Sequence, residues 1–113
     1  MVIIMLRRDI HSNNETVKDA LYELEVSIRM ARHDKDKLLC LVTGYGSKGT
    51  SHKIKTSIIE KLDELKTKNQ IKGYLIGSDL DIFNVNYQKF SHRFSIPKDE
   101  FNQRNPGIIY IGV

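Results

Sequence analysis

The sequence predicts an α/β fold, and three observations carry that prediction. Short apolar runs at residues 2–6, 38–42, 71–76 and 108–113 have strand length and are bounded by polar residues, Gly or Pro. Between the first three runs lie two longer segments whose apolar residues recur at the three-and-four spacing of a helical face. A turn holding three of the chain's seven glycines joins the second run to the second of those segments. The order strand, helix, strand, helix, strand, long insertion, strand is that of an α/β sandwich with right-handed crossovers.

Each element follows from local chemistry. Residues 2–10 alternate around a β-rich start, and Ser12-Asn13-Asn14 then offers N-caps for a helix beginning near Glu15. Val17, Ala20, Leu21, Leu24, Ile28 and Ala31 fall on one face of that helix, which ends near His33-Asp34. Residues 37–42 form a nearly unbroken apolar run, the pattern of a strand covered on one or both faces. After the glycine turn, Thr50 or Ser51 caps a second helix that buries Ile54, Ile58, Leu62 and Leu65 and runs to about Asn69. A third strand over 71–76 stops at Gly77, and Asn105-Pro106-Gly107 introduces a fourth over 108–113. Residues 78–104 lack a long period, although Phe83, Tyr87, Phe90 and Phe94 space out as one short helical stripe.

Size and charge set further bounds. A chain of 113 residues reads as a single domain, 1–113, able to bury a core without disulfides or structural metal. Eighteen basic against fourteen acidic side chains, a formal charge of +4, favour polyanionic partners. The single cysteine, Cys40, lies within an apolar run, so neither a disulfide framework nor a cysteine metal site is available and a cytoplasmic location is expected. The opening run is too short to span a membrane and lacks a basic leader or cleavage site, so no membrane partner is expected.

The candidate chemistry gathers in two clusters. Thr43-Gly44-Tyr45-Gly46-Ser47-Lys48-Gly49 precedes a helix, where glycine lets the main chain approach an anion and the first-turn N–H groups point toward it. Thr43, Gly44, Tyr45, Gly46, Lys48 and Gly49, with His52 and Lys53 beyond, are therefore candidate phosphate or nucleic-acid contacts; Tyr45 offers a stacking face. An ordinary glycine turn and solvated lysines are the plainer alternative. Gly44-x-Gly46-x-x-Gly49 formally matches a dinucleotide fingerprint with Asp79 as its acid, but no second mononucleotide-binding half exists, and Thr50 stands where a P-loop needs lysine. The second cluster is Asp9-Ile10-His11 at the end of the first strand. Residues two apart share a face, so Asp9 and His11 converge while Ile10 turns inward, and an aspartate that fixes a histidine tautomer makes an acid–base pair. If the first two strands are parallel neighbours, both clusters lie at the carboxyl ends of strands, where open α/β sheets collect ligands.

Asp9-Ile10-His11-Ser12, Thr43-Gly44-Tyr45-Gly46, Thr16-Val17-Lys18-Asp19-Ala20-Leu21 and the closing 107–113 segment together resemble the small MutS-related (Smr) domain. That family carries Asp-Leu-His-Gly after its first strand and His-Gly-x-Gly or Thr-Gly-x-Gly later. The resemblance implies a two-layer sandwich, two helices on a four-stranded mixed sheet, as in the C-terminal domain of translation initiation factor three. It also implies nucleic-acid binding and an endonuclease activity with Asp9 and His11 as catalytic residues, Mg²⁺ being a cofactor compatible with Asp9. RNA is favoured over DNA because Thr-Gly-x-Gly resembles the form found in RNA-acting relatives. Departures from the pattern weigh against cleavage more than against binding: Arg8 for leucine, Ser12 for glycine, Thr43 for histidine, and a long insertion over 78–104. The rival expectations are a non-catalytic RNA- or ribosome-binding module and a small nucleotide-binding domain.

Overall fold

The computed structural model describes residues 5–10, 16–34, 37–43, 49–102, 105 and 107–113. Four strands, β1 (Met5–Asp9), β2 (Leu38–Val42), β3 (Gly73–Ile76) and β4 (Ile108–Gly112), form one sheet in the order β1-β2-β4-β3. β1 and β2 are parallel, and β4 runs antiparallel to both β2 and β3, so β1, β2 and β3 all point the same way. The central strands β2 and β4 are covered on both faces, which is why their sequences are unbroken apolar runs. Leu39, Leu41, Ile109 and Ile111 face one layer, while Leu38, Cys40, Ile108 and Tyr110 face the other.

The first layer is the predicted pair of helices, α1 (Val17–His33) and α2 (Gly49–Thr67). Ala20, Leu24, Ile28 and Ala31 of α1 meet Ile54, Ile58, Leu62 and Leu65 of α2 over the sheet, with Val17 and Leu21 at the margin. The cap of α1 is Thr16 rather than the earlier Ser-Asn-Asn tract, its side chain accepting the Asp19 N–H at 3.1 Å. α2 closes where Asn69 adopts φ 60°, a left-handed conformation that asparagine tolerates, and the Gln70 N–H returns to the Leu65 carbonyl at 2.8 Å.

The described residues of the 78–104 stretch, up to Asn102, add a second layer on the opposite face. A 3-10 turn at Gly77–Asp79, a short helix α3 (Val85–Ser91) and a 3-10 turn at Lys98–Asn102 place Leu80, Phe90, Phe94 and Ile96 against the outer faces of β2, β4 and β3. The expected two helices and four-stranded mixed sheet are thus present, and a third helix covers the face that a two-layer arrangement leaves open. The aromatic stripe is only partly as predicted. Tyr87 and Phe90 point inward and Phe94 follows the helix, stacking on Phe90 at 4.9 Å between centroids. Phe83 is instead 83% exposed, because it precedes the N-cap Asn84 in a turn held by the Asp81 carboxylate, which accepts the Phe83 N–H at 2.9 Å. Among the described residues no helix is long and apolar enough to cross a membrane.

Candidate functional site

Parallel pairing of β1 with β2 puts Asp9 directly opposite Val42, one residue before Thr43, and the Ile10 N–H donates to the Val42 carbonyl at 2.9 Å. The ends of the two chemistry-bearing segments therefore lie side by side at one end of the sheet. Ile10 is buried against the helices, and Asp9 stays exposed. Because β3 points the same way, Gly77 arrives at this end too, and β4 begins there at Ile108, preceded by Gly107.

Thr43 is buried at 4% exposure, its N–H donating to the Gly107 carbonyl at 2.7 Å and its hydroxyl to the same oxygen at 3.1 Å. It anchors the head of the glycine turn to the strand-entry loop. Asn105 fixes that loop from the other side, its side-chain oxygen accepting the Gly107 N–H at 2.7 Å. Gly77 is required here, since a Cβ would lie 2.2 Å from the Asn105 carbonyl oxygen. The floor of this sheet end is thus pinned at both Thr43 and Gly77.

His11, Gly44, Tyr45, Gly46 and Lys48 lie outside the described residues. Gly49 opens α2, the His52 side chain is also outside the description, and Lys53 is exposed in the helix's second turn. No acidic residue occupies the first turn of α2, so no carboxylate there offsets the positive end of the helix dipole. Asp79 accepts from the Asn86 amide at 3.3 Å. His33 sits exposed beside Asp34 at 3.2 Å, and His92 is exposed after α3. Among the described residues no three His, Cys, Asp or Glu converge as a metal site.

Sequence reasoning missed a polar cluster beneath the second layer. Arg7, Cys40, Tyr110 and Leu75 occupy one row across the four strands, and Glu100 from the last 3-10 turn reaches onto it. The Arg7 guanidinium donates to Glu100 Oε1 at 3.0 Å; the arginine is half-exposed, whereas the carboxylate is buried. Burial, with the Glu100 carboxylate nearby and partly offset by Arg7, pushes the Cys40 thiol up to about 12. Arg8 turns to the other face and donates to Glu23 of α1 at 2.9 Å. Both arginines preceding Asp9 are thus held by carboxylates. The partner Glu100 is 93 residues from Arg7, and no local pattern links the two.

No family model and no curated protein matches the sequence. Among solved structures, the crystal structure of the Smr domain of Thermus thermophilus MutS2 superposes with a TM-score of 0.59 at 17% identity, covering 95% of each chain. The chain has the fold of an Smr domain. In this Smr-like fold the parallel pairing of β1 with β2 sets Asp9 opposite Val42, next to Thr43, and α2 begins at Gly49.

Proposed function

We propose that this Smr-like domain binds nucleic acid, RNA in preference to DNA, at the carboxyl ends of β1 and β2. The observation that supports the reading is the pairing of Asp9 with Val42, which sets the carboxyl ends of β1 and β2 side by side. The main chain from Gly44 to Gly49 and the first turn of α2 cradle a phosphate, with Lys48, Lys53 and His52 around it and Tyr45 as a stacking face. Thr43 acts chiefly as the anchor that holds the turn's head against Gly107. RNA preference rests on the resemblance of Thr43-Gly44-Tyr45-Gly46 to the motif of RNA-acting relatives.

Fluorescence anisotropy with single-stranded RNA at increasing salt tests this reading. Lys48→Ala and Lys53→Ala should each weaken binding and flatten the logarithmic salt dependence by about 0.7 per lost phosphate contact. Absence of RNA and DNA binding, together with tight binding of a mononucleotide in calorimetry, would replace the reading with that of a nucleotide-binding domain.

A cleaving version is favoured by the exposure of Asp9 beside the anchored turn. In it, His11 takes the proton of the attacking oxygen or returns one to the leaving oxygen, and Asp9 holds the imidazole in the required tautomer. Structured RNA and supercoiled DNA incubated with and without Mg²⁺ distinguish cutting from binding. Product formation that disappears in Asp9→Ala and His11→Ala supports the catalytic pair, and cutting unchanged in both variants removes it.

A further inference from the structure

The geometry points to a second binding site, remote from the strand ends: an acidic peptide that adds as a fifth strand to the open edge of β3. This edge is the floor of a groove of about 390 Å³ walled by the end of α2 on one side and α3 on the other. Three features favour an extended peptide there.

The first is the set of main-chain groups the edge presents. Thr43 bonds to Gly107 and Val113 to Lys37, so odd-numbered residues along β4 and its flanks turn their hydrogen bonds toward β2. Strand alternation then turns Tyr110 and Gly112 toward their opposite numbers Leu75 and Gly73 of β3. Tyr74 and Ile76 are left facing outward, offering two N–H donors and the Tyr74 carbonyl along the groove floor. A peptide strand answers both donors and acceptor. A nucleic-acid backbone offers phosphate acceptors and, in RNA, 2′-hydroxyl donors, but not N–H and C=O groups alternating at the spacing of a strand.

The second is room. β3 is the last strand of the sheet and no strand covers its outer edge, and above Gly73 a Cβ would meet nothing within 4 Å, so side chains of an added strand have space over this end of the sheet face. The third is charge. Lys66, Lys72, Lys89 and Arg93 line the groove against Asp63 and Asp79. Asp63 already accepts the Tyr74 hydroxyl at 2.7 Å and Asp79 the Asn86 amide, whereas Lys66, Lys72 and Lys89 form no ion pair among the described residues. The excess positive charge selects acidic side chains on the incoming strand. A second copy of this chain fits poorly: its own β3 groove is equally basic, and its other sheet edge, β1, carries Arg7 and Arg8.

The test uses the whole chain and a fluorescein-labelled peptide of alternating glutamate and valine, about eight residues long. Anisotropy should show salt-sensitive binding, and amide exchange at Tyr74 and Ile76 should slow on peptide addition while Leu75, already bonded to β4, changes little. Ile76→Pro removes one outward donor at a residue whose φ of −73° already suits proline, so the strand is retained and affinity should fall about five- to tenfold. The paired reversal Lys89→Glu with Arg93→Glu should weaken binding at least about tenfold without touching the strand. N-methylation of alternate peptide residues should abolish binding at unchanged charge. The inference is overturned if the peptide fails to bind, if Ile76→Pro and the N-methylated peptide bind as well as their parents, if an oligouridylate protects the Tyr74 and Ile76 amides instead, or if edge protection appears only with self-association of the chain.

Discussion

Gly112 and Phe94 offer a sharp test of how the 78–104 segment sits on the sheet. A Cβ built on Gly112 would lie 2.2, 2.4 and 2.8 Å from three carbons of the Phe94 ring. Carbon atoms are comfortable at about 3.5 Å, so the ring must retreat by roughly 1.3 Å in Gly112→Ala. Phe94 also stacks on Phe90 and is only 8% exposed, so retreat disturbs both contacts. Overpacking of this kind costs about 1–3 kcal/mol. At roughly 2.1 cal/mol/K of unfolding entropy per residue, a domain of this length loses about 4 °C of Tm per kcal/mol, giving an expected drop of about 4–12 °C. Phe94→Ala alone should cost about 3–5 kcal/mol through lost burial. The double variant should cost clearly less than the sum, because the alanine methyl then enters space the ring has vacated. Urea unfolding followed by circular dichroism measures all three. A neutral Gly112→Ala, or strict additivity in the double variant, would refute the placement of the ring over β4.

Two further predictions concern the row beneath the second layer. Breaking the Arg7–Glu100 pair should be asymmetric: Arg7→Met leaves a buried carboxylate without its cation and should cost about 2–3 kcal/mol, whereas Glu100→Gln leaves a half-exposed guanidinium that water can solvate and should cost about 1 kcal/mol, read from urea midpoints at fixed pH. Cys40 should resist alkylation at pH 8 until the protein unfolds, and its contribution to stability should depend on pH. Its pKa is raised on folding from 9.0 to about 12, so the folded state favours the neutral thiol; that contribution is whole below pH 9 and lost as pH climbs toward 12. Cys40→Ala should flatten the part of the alkaline decline that begins near pH 9. Tyr74 and Tyr110 also have raised values but start from 10.0, so their loss begins later.

The elements that were legible in the sequence are those whose periodicity is enforced by a single large partner. α1 and α2 each face a sheet, so their buried residues repeat at helical spacing, and β2 and β4 are covered on both faces and read as unbroken runs. The 78–104 segment was illegible for the opposite reason. It meets the sheet through side chains drawn from a turn, a seven-residue helix and an extended stretch: Leu80, Phe90, Phe94 and Ile96. No single period spans such a set. Phe83 shows the hazard of imposing one, since its spacing fits the stripe while its backbone has already left for the N-cap turn.

The candidate site divides along the same physical line. That the carboxyl ends of β1 and β2 could lie side by side was readable, because parallel neighbouring strands align their ends and this requires only strand order. What holds that end rigid was not readable, because it depends on a loop more than sixty residues away. The Gly107 carbonyl takes two bonds from Thr43, and Asn105 packs so close to Gly77 that no side chain fits there. At this sheet end, among the described residues, Gly77 is a glycine that the backbone around it requires, and no phosphate-binding pattern includes it. A phosphate cradle of the kind proposed needs a main chain that does not rearrange when the anion arrives, and the contacts among Thr43, Asn105, Gly107 and Gly77 tie the floor of this sheet end together. Thr43 in place of the histidine of the resembling motif then has a positive consequence: a hydroxyl turned inward to Gly107 fixes the turn's head, a role an imidazole directed at substrate does not fill.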